Sequence, residues 1–268
     1  MKNSTALKFA QYAGAISACL VLAACASRRA DVDLDEPSAK IEQVETQKRA
    51  NLRMQLAVGY YQQGQHKVAL EEIRQALAII PDLVDAYSLR ALIFMDTGEK
   101  QLAEENFQRA MRLAPANLDI LNNYAWFLCQ NGREKQGLAH FERILKDATY
   151  TNPVKTLTSA GICSLKVNDR VGAEQFLTSA FRMDPANLLV SSNLARVYYD
   201  KKEYDKAHFQ ISRVLKADVT TAEVLWLAIK IEKKMGDEAA IASLTTQLRR
   251  RHPGSREFQL LQRGAFDE

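Results

Sequence analysis

A pattern of about 34 residues repeats along most of this chain and limits its fold more than any other feature. In the copy from Val84 to Asn117, apolar residues recur at helical spacing, Gly98 breaks the run, and a second helical run ends at Pro115. Each copy is therefore predicted to be a helix, a short turn and a second helix. Because such a unit cannot bury its own apolar face, the copies must stack on one another.

Small and large residues alternate in a fixed order within this copy. Small residues mark the places where two helices approach closely, and aromatic residues fill the space around them. The small residues are Ala91, Ala103 and Ala110, and the aromatic residues are Tyr87, Phe94 and Phe107. This order and length resemble the tetratricopeptide repeat, or TPR. The resemblance implies an all-α fold, a right-handed superhelical solenoid of about six repeats with a concave face.

Six copies align on this template, and no strand pattern competes with them. The predicted repeats are residues 50–83, 84–117, 118–153, 154–187, 188–220 and 221–253, followed by a capping helix within residues 254–268. Five of the six prolines fall at or beside repeat ends, where no backbone N–H is needed for helix hydrogen bonding. A short insertion separates the third and fourth copies.

The first 24 residues are typical of a secretory signal peptide. A basic start with Lys2 and Lys8 precedes an apolar stretch that is too short for a comfortable membrane span. The stretch ends in Leu22-Ala23-Ala24-Cys25, which resembles the bacterial lipobox. By this resemblance Cys25 is acylated, for example with palmitate, and becomes the first residue of the mature protein. The alternatives are a soluble secreted protein cut near Cys25, or an inert cysteine in the core.

The residues after Cys25 indicate where such an anchor would lie. No aspartate follows Cys25 directly, whereas an aspartate there typically retains Gram-negative lipoproteins at the inner membrane. The resemblance therefore implies the periplasmic face of the outer membrane, with contact to its lipid through the acylated Cys25. Residues 25–49 are charged, contain Pro37 and have few large apolar residues, so we predict a flexible tether with some helix near Ile41–Arg49.

Two cysteines, Cys129 and Cys163, lie outside the signal peptide and the lipobox. Both fall on the first helix of their repeats, and two thiols in an exported protein can pair. We expect a disulfide, provided that the two Cα atoms lie within about 7 Å of each other. The alternative is two small buried residues that never pair.

Sequence signatures of catalysis are missing from the chain. It contains no Gly-rich phosphate loop, HExxH, GxSxG or Rossmann fingerprint. The four histidines are not at metal-ligand spacing, and a formal net charge of +4 does not suggest nucleic acid. We therefore expect no enzyme activity, metal, cofactor or nucleic-acid partner. An enzymatic alternative would need a site among Asp85, Asp96 and Asp119, without a nucleophile or metal beside them.

The first helices of a TPR array line its concave groove with the residues that do not pack against the second helices. By repeat register, the predicted partner-binding residues are Met54, Val58, Tyr61, Leu92, Met95, Asn122, Trp126, Ile162, Leu165 and Tyr199. The amino-terminal half of this set is apolar and includes flexible methionines, which suits the apolar side of a partner segment. Alternatively, the tether or neighbouring repeats cover some of these residues.

The segment Asn122–Gln130, with the sequence NNYAWFLCQ, resembles the NNYGWFLC-type segment of the PilF/PilW family of type IV pilus biogenesis lipoproteins. Ala125 stands in place of the glycine. The resemblance covers essentially the whole chain, including the signal, the lipobox, the six repeats and the paired cysteines.

Membership of this family implies a pilotin, which escorts the secretin subunit PilQ to the outer membrane and promotes its multimerisation. Pilus biogenesis and twitching motility would depend on it, and the groove would bind PilQ or another protein of the pilus machinery. The repeats alone indicate only a scaffold that binds a peptide or a subunit. The alternative is therefore a periplasmic scaffold lipoprotein for cell-wall synthesis or outer-membrane protein assembly.

Overall fold

The computed structural model describes residues 35–266, which form thirteen α-helices and no strand. The helices are α1 (Asp35–Gln62), α2 (His66–Ile79), α3 (Val84–Asp96), α4 (Lys100–Leu113), α5 (Leu118–Gln130), α6 (Glu134–Leu145), α7 (Pro153–Lys166), α8 (Arg170–Met183), α9 (Leu188–Asp200), α10 (Tyr204–Lys216), α11 (Ala222–Met235), α12 (Glu238–Arg251) and α13 (Arg256–Arg263). Within this range, none of the helices has both the length and the apolar character to cross a membrane. The predicted signal peptide and Cys25 lie outside the described residues.

Two compact units can be distinguished, with the division after Leu52. In the first unit the described residues are helical from Asp35, and Lys48 pairs with Glu45 at 2.8 Å. The helix predicted near Ile41–Arg49 is present, but it begins earlier than predicted, at Asp35, in a segment that was otherwise expected to be a flexible tether. The segment is helical because residues 38–49 are mainly Ala, Glu, Gln, Lys and Arg, which have high helix propensity.

In the second unit, which begins at Arg53, successive helices pack as antiparallel pairs. The pairs α3 with α4, α5 with α6, α7 with α8 and α9 with α10 pack most extensively, α11 packs with α12 in the same way, and each pair then contacts the next. The all-α repeat fold expected from the 34-residue period is confirmed. One repeat boundary needs correction, because Pro153 is not the end of the third copy but the first residue of α7. Proline is favoured there because its missing N–H needs no partner.

The core consists of clusters that lie within and between successive pairs. In one cluster Ala91, Ala103 and Phe107 meet Phe127 and Leu128 of the next pair, and all five are essentially inaccessible to solvent. The rings of Phe107 and Phe127 lie 5.6 Å apart between centroids. Because each buried Phe or Leu contributes about 1.5–3 kcal/mol, contacts between pairs stabilise what a single pair cannot.

Two glycines allow helices to approach more closely than any other residue would permit. A Cβ atom on Gly137 of α6 would lie 2.6 Å from the carbonyl oxygen of Ala125 in α5. A Cβ atom on Gly161 of α7 would lie 2.5 Å from Cγ of Leu177 in α8. Both glycines occupy positions that small residues hold in the other repeats, so the helix crossings here are at contact distance.

An ion pair joins the second and third repeats. The two carboxylate oxygens of Glu104 in α4 each accept a hydrogen bond of 2.8 Å from the guanidinium of Arg133, just before α6. The Tyr124 hydroxyl donates to the same carboxylate at 3.0 Å. The hydrogen bonds from Arg133 hold the pKa of Glu104 below its ordinary value.

We predict that Gly137→Ala lowers the free energy of unfolding by about 1–3 kcal/mol, because the added methyl group would push α5 and α6 apart. The matched control is Gly59→Ala in α1, where no atom lies within 4 Å of the new Cβ. We expect that control to be neutral or to stabilise the protein by up to about 1 kcal/mol, since alanine favours the helix. Urea unfolding followed by circular dichroism measures both, and equal effects of the two changes would contradict the close approach.

The Glu104–Arg133 pair predicts a loss of stability in acid. The pKa of the Glu104 carboxyl is lower in the folded than in the unfolded state. The contribution of this carboxylate to the free energy of unfolding is therefore fully present above the unfolded-state pKa and is lost as the pH falls through the folded-state pKa. We expect Glu104→Gln to cost about 1 kcal/mol near pH 7 and much less near pH 3. Glu105→Gln is the control, since the Glu105 carboxylate accepts from Gln101 rather than from an arginine. A cost for Glu104→Gln that does not change with pH would refute this account.

Candidate functional site

Three open grooves lie along the first helices of the repeats in the second unit. The amino-terminal groove, of about 430 Å³, is lined by Met54, Gln55, Val58, Asp85, Ser88, Leu89 and Leu92. The middle groove, of about 970 Å³, is lined by Asn122, Asn123, Trp126, Asn152, Val154, Lys155, Thr158, Ser159, Ile162, Asp184, Asn187, Leu189 and Asn193. The carboxy-terminal groove, of about 420 Å³, is lined by Ser192, Asn193, Arg196, Tyr199, Asp200, Glu223, Trp226, Leu227, Lys230, Arg256, Glu257 and Leu260.

The amino-terminal groove is mainly apolar and lies between the end of α1 and α3. Val58 is 40% exposed and Leu92 is half-buried, so both offer apolar surface to a ligand. Met54 was expected to be a groove residue, but it is only 8% exposed and packs with Ile73 and Leu89 in the core. Its thioether therefore forms part of the groove floor. The surface suits the apolar side of an amphipathic segment.

Two other predicted residues of the amino-terminal half are engaged within the protein. The Tyr61 hydroxyl donates a hydrogen bond of 2.8 Å to the Asp96 carboxylate. Burial is the largest cause that raises the pKa of Tyr61, and the hydrogen bond to Asp96 is the next largest. The pKa reaches about 12, so the phenol stays protonated. Met95 packs against the cluster that contains Phe107. Both side chains thus have a packing role in the structure.

The middle groove extends across α5, α7 and α9 and brings together three of the predicted residues, Asn122, Trp126 and Ile162. Asn122 is only 1% exposed, and its Oδ1 accepts a hydrogen bond of 2.7 Å from the Thr156 hydroxyl. Its Nδ2 is buried and has no hydrogen-bond partner among the described residues. Leu165 does not share this environment, because it packs against the core cluster of the fourth and fifth repeats.

The carboxy-terminal groove contains the predicted residue Tyr199 and an aromatic side chain that sequence reasoning missed. Trp226 of α11 stacks on Phe266, with ring centroids 5.1 Å apart. The ammonium of Lys230 lies 5.2 Å from the Tyr199 ring centroid and 5.8 Å from that of Trp226. Trp226 was missed because the sixth repeat follows the template loosely, so its register assigned no groove residue there.

The aspartates of the enzymatic alternative are dispersed among these features. Asp96 accepts from Tyr61, and Asp119 accepts a hydrogen bond of 3.2 Å from the Tyr150 hydroxyl. Asp85 lies in the amino-terminal groove, which contains no other acidic residue. Within residues 35–266, no group of three or more His, Cys, Asp or Glu side chains is placed to hold a metal ion.

Comparison with known proteins agrees with this geometry. Models of the tetratricopeptide repeat match residues 88–152 and 165–228. The chain is 28% identical over 209 residues to the type IV pilus assembly protein PilF of Pseudomonas aeruginosa. The aligned region covers 78% of this chain and 83% of that protein. The crystal structure of PilW, a type IV pilus biogenesis factor, superposes with a TM-score of 0.72 at 29% identity, covering 79% of this chain and 97% of PilW.

The structure of Pseudomonas aeruginosa PilF superposes equally well, with a TM-score of 0.73 at 27% identity, covering 82% of this chain and 99% of that one. In both sequence and structure the chain is therefore similar to PilF and PilW. The segment Asn122–Gln130, which resembled the family's sequence, lies within α5 and supplies Asn122 and Trp126 to the middle groove. The same helix contributes Cys129 to a disulfide.

The sulfur atoms of Cys129 and Cys163 are joined at 2.21 Å, with the Cα atoms 5.8 Å apart. Both residues are fully buried. The bond links α5 to α7, which are neighbouring first helices of the array. It therefore fixes the spacing between two of the three helices that line the middle groove.

We predict that reduction of this disulfide lowers the free energy of unfolding by about 3–4 kcal/mol, because the bond closes a long loop in the unfolded chain. Urea unfolding with and without dithiothreitol measures the effect, after mass spectrometry has counted the free thiols. The control is the Cys129→Ala and Cys163→Ala double variant, whose stability should not respond to reductant. Free thiols at Cys129 and Cys163 in protein isolated from cells with thiol-trapping reagents present throughout would show that the pair does not form in the cell.

Proposed function

We propose that this protein is an outer-membrane lipoprotein that acts as the pilotin of a type IV pilus secretin. It binds the PilQ subunit and promotes its outer-membrane localisation and multimerisation. Support comes from its similarity to a type IV pilus assembly protein and to a type IV pilus biogenesis factor. The single structural observation behind the proposal is the amino-terminal groove, an open apolar surface on a scaffold that binds proteins.

In this proposal the groove holds the apolar side of a secretin segment. Val58 and Leu92 present the accessible apolar surface, Leu89 and Met54 form the floor, and Asp85 and Ser88 supply polar groups. Each apolar side chain that becomes fully buried gains about 1.5–3 kcal/mol, and part of this gain offsets the cost of association. A few such contacts give moderate affinity, as a carrier that must release its cargo requires.

The second element is the acylated Cys25, which holds the complex at the outer membrane. Acyl chains bury about 0.8 kcal/mol per CH₂ group, so several chains on one cysteine bind the bilayer firmly. Anchor and groove belong to the same chain, so the bound subunit is kept at high effective concentration beside the membrane. The action is physical transport and needs no covalent step.

We predict that Cys25→Ala leaves secretin multimers mislocalised, and that Val58→Asp with Leu92→Asp abolishes secretin binding. The physical reasons are loss of the lipid anchor and burial of unpaired charge in the amino-terminal groove. Secretin multimers are measured by immunoblot of outer-membrane fractions, and binding by co-purification. Circular dichroism must show that each variant is folded.

Val68→Asp is the matched control, because Val68 lies on the second helix of the same repeat and is 41% exposed, compared with 40% for Val58. We expect it to behave as the wild type. Normal secretin assembly with both Cys25→Ala and the groove variant would exclude the pilotin role. The protein would then be a scaffold for another envelope process, such as cell-wall synthesis or outer-membrane protein assembly.

A further inference from the structure

A further cavity lies outside the three grooves, on the second helix of the fifth repeat. It is open, has a volume of about 770 Å³, and is formed by one face of α10 together with the residues at the start of α9. We call it the α10 pocket. Apart from two alanines, its lining consists of Leu188, His208, Phe209, Ser212, Arg213 and Lys216. Because a second helix provides most of the lining, the pocket is a separate surface from the grooves along the first helices.

Arg213 is a fixed cation in the α10 pocket. Its Nη2 donates a hydrogen bond of 2.6 Å to the Pro185 carbonyl oxygen. Its guanidinium lies 5.3 Å from the Phe181 ring centroid and 5.9 Å from that of Phe209. Among residues 35–266, no carboxylate forms an ion pair with it. The protein therefore holds this charge in place without neutralising it by an acidic side chain.

Lys216 adds a second cation about one turn further along α10. It is exposed, and the described part of the chain offers it no carboxylate partner. A basic residue at this end of a helix opposes the helix dipole, but that effect leaves its charge accessible to a ligand. His208 differs, because its Nδ1 lies 2.8 Å from Oε1 of the buried Glu232. Two cations without acidic partners thus lie on one wall of the pocket.

Positive charge continues beyond the pocket, along the edge at which the second helices end. In a stacked array the second helices run in the same direction, so their last turns share one edge. The basic residues of these turns in the last three repeats are Arg182 in α8, Arg213 and Lys216 in α10, and Arg249, Arg250 and Arg251 in α12. The linkers after α8 and α10 contain two acidic residues, Asp184 and Asp218, and Asp218 pairs with Arg251 at 2.9 Å. Basic residues therefore predominate at this edge.

Apolar side chains are exposed among these cations. Phe209 is 57% exposed in the α10 pocket, and Met183 at the end of α8 is 56% exposed. Apolar and aromatic groups surrounded by lysine and arginine are typical of surfaces that bind a bilayer. The apolar groups enter the boundary between headgroups and acyl chains, and the cations contact the phosphates.

We infer that the α10 pocket binds the surface of a bilayer that contains anionic phospholipid. A headgroup phosphate accepts hydrogen bonds from the Arg213 guanidinium and the Ser212 hydroxyl, and Lys216 adds electrostatic attraction. Phe209 enters the boundary between headgroups and acyl chains. A bilayer is favoured over an acidic protein segment because the cations extend along an edge of three repeats and lie beside exposed apolar groups.

This inference goes beyond the proposed pilotin role and uses it only for the presence of a bilayer near the protein. Val58 and Leu92 of the amino-terminal groove belong to the first two repeats, so the two surfaces can be tested separately. Loss of secretin binding by the groove variant with unchanged vesicle binding would leave the membrane inference intact. Absence of vesicle binding with normal secretin assembly would leave the pilotin proposal intact.

The test uses the complete chain after the signal peptide, with Cys25→Ala and the disulfide intact, because an acyl anchor would bind any vesicle. Flotation compares vesicles of phosphatidylcholine alone with vesicles that also contain phosphatidylglycerol. We expect saturable binding only to the vesicles with phosphatidylglycerol, and weaker binding as sodium chloride is added, because salt screens the attraction. Equal binding to both kinds of vesicle, or binding to neither, would overturn the inference.

Removal of charge tests the place of contact. Lys216→Gln should weaken binding about fivefold, and Arg213→Gln with Lys216→Gln roughly 25-fold, because each cation at an anionic surface contributes on this scale. Since Lys216 is exposed, the single variant keeps the test valid if circular dichroism shows that loss of Arg213 disturbs folding.

The matched control is Arg170→Gln with Lys202→Gln. It removes two exposed charges from the opposite edge of the same repeats, at the start of α8 and in the turn before α10. We expect its affinity for the vesicles to be unchanged. A loss equal to that of the Arg213 and Lys216 variant would show that net charge, and not the α10 pocket, determines binding.

Insertion of the aromatic side chain is measured with Phe209→Trp. We expect its tryptophan emission to shift to the blue on vesicles with phosphatidylglycerol, because the indole enters a less polar environment. Val171→Trp is the control, since Val171 is 66% exposed at the start of α8, on the opposite edge. No shift with Phe209→Trp, or an equal shift with both variants, would contradict the proposed contact.

Two further probes separate a bilayer from other anionic ligands. Inorganic phosphate at constant ionic strength and a peptide of alternating aspartate and phenylalanine are titrated without vesicles, by isothermal titration calorimetry. We expect neither to bind saturably at concentrations at which the vesicles bind. If either one binds in a way that requires Arg213 and Lys216 while vesicles do not bind, the pocket is a site for free phosphate or for an acidic protein segment, and the inference is wrong.

Discussion

Contact between small residues at the helix crossings is the constraint on which the rest of this structure depends. Ala91, Ala103, Gly137 and Gly161 are fully or almost fully buried, and the glycines leave no room even for a methyl group. This contact fixes how the second helix of each repeat lies behind the first. The remaining apolar side of each repeat must then be covered by the next helix pair. Phe127, for example, covers Phe107 in this way. The first helices consequently lie side by side, and the grooves form between them.

The disulfide and the polar contacts make this surface rigid where the repeats depart from their period. A short insertion precedes α7, and the Cys129–Cys163 bond ties α7 to α5 across that insertion. The Thr156 hydroxyl fixes the Asn122 amide in the same region. Because these groups are held in place without a ligand, a ligand that bound in the middle groove would lose little ordering entropy. Among the described residues, the lining of the amino-terminal groove shows no comparable polar contact, and the flexible Met54 in its floor would adapt to a ligand instead.

The period of the sequence was enough to predict the helix pairs, because it combines apolar spacing with glycine turns and proline ends. It could not predict every turn, since Lys202 takes the left-handed conformation, with φ of 64°, that Gly98 and Gly132 take in earlier repeats. Register also could not separate groove residues from core residues on the same helix. Met54, Met95 and Leu165 have the expected helical positions, but the approach of the neighbouring pair buries them or draws them into the core. Helix propensity, not the repeat, determines the structure of residues 35–49.

The stacked arrangement also determines how two grooves on one array can act together. The amino-terminal groove involves α1 and α3, and the middle groove involves α5, α7 and α9, so coupling must pass from the second repeat to the third. The main contacts there are the Phe107–Phe127 packing and the Glu104–Arg133 pair. Nearest-neighbour contacts of this kind transmit weak coupling. The two grooves should therefore act nearly independently, and a partner that engages both would gain affinity through linkage of the two sites rather than through a conformational change.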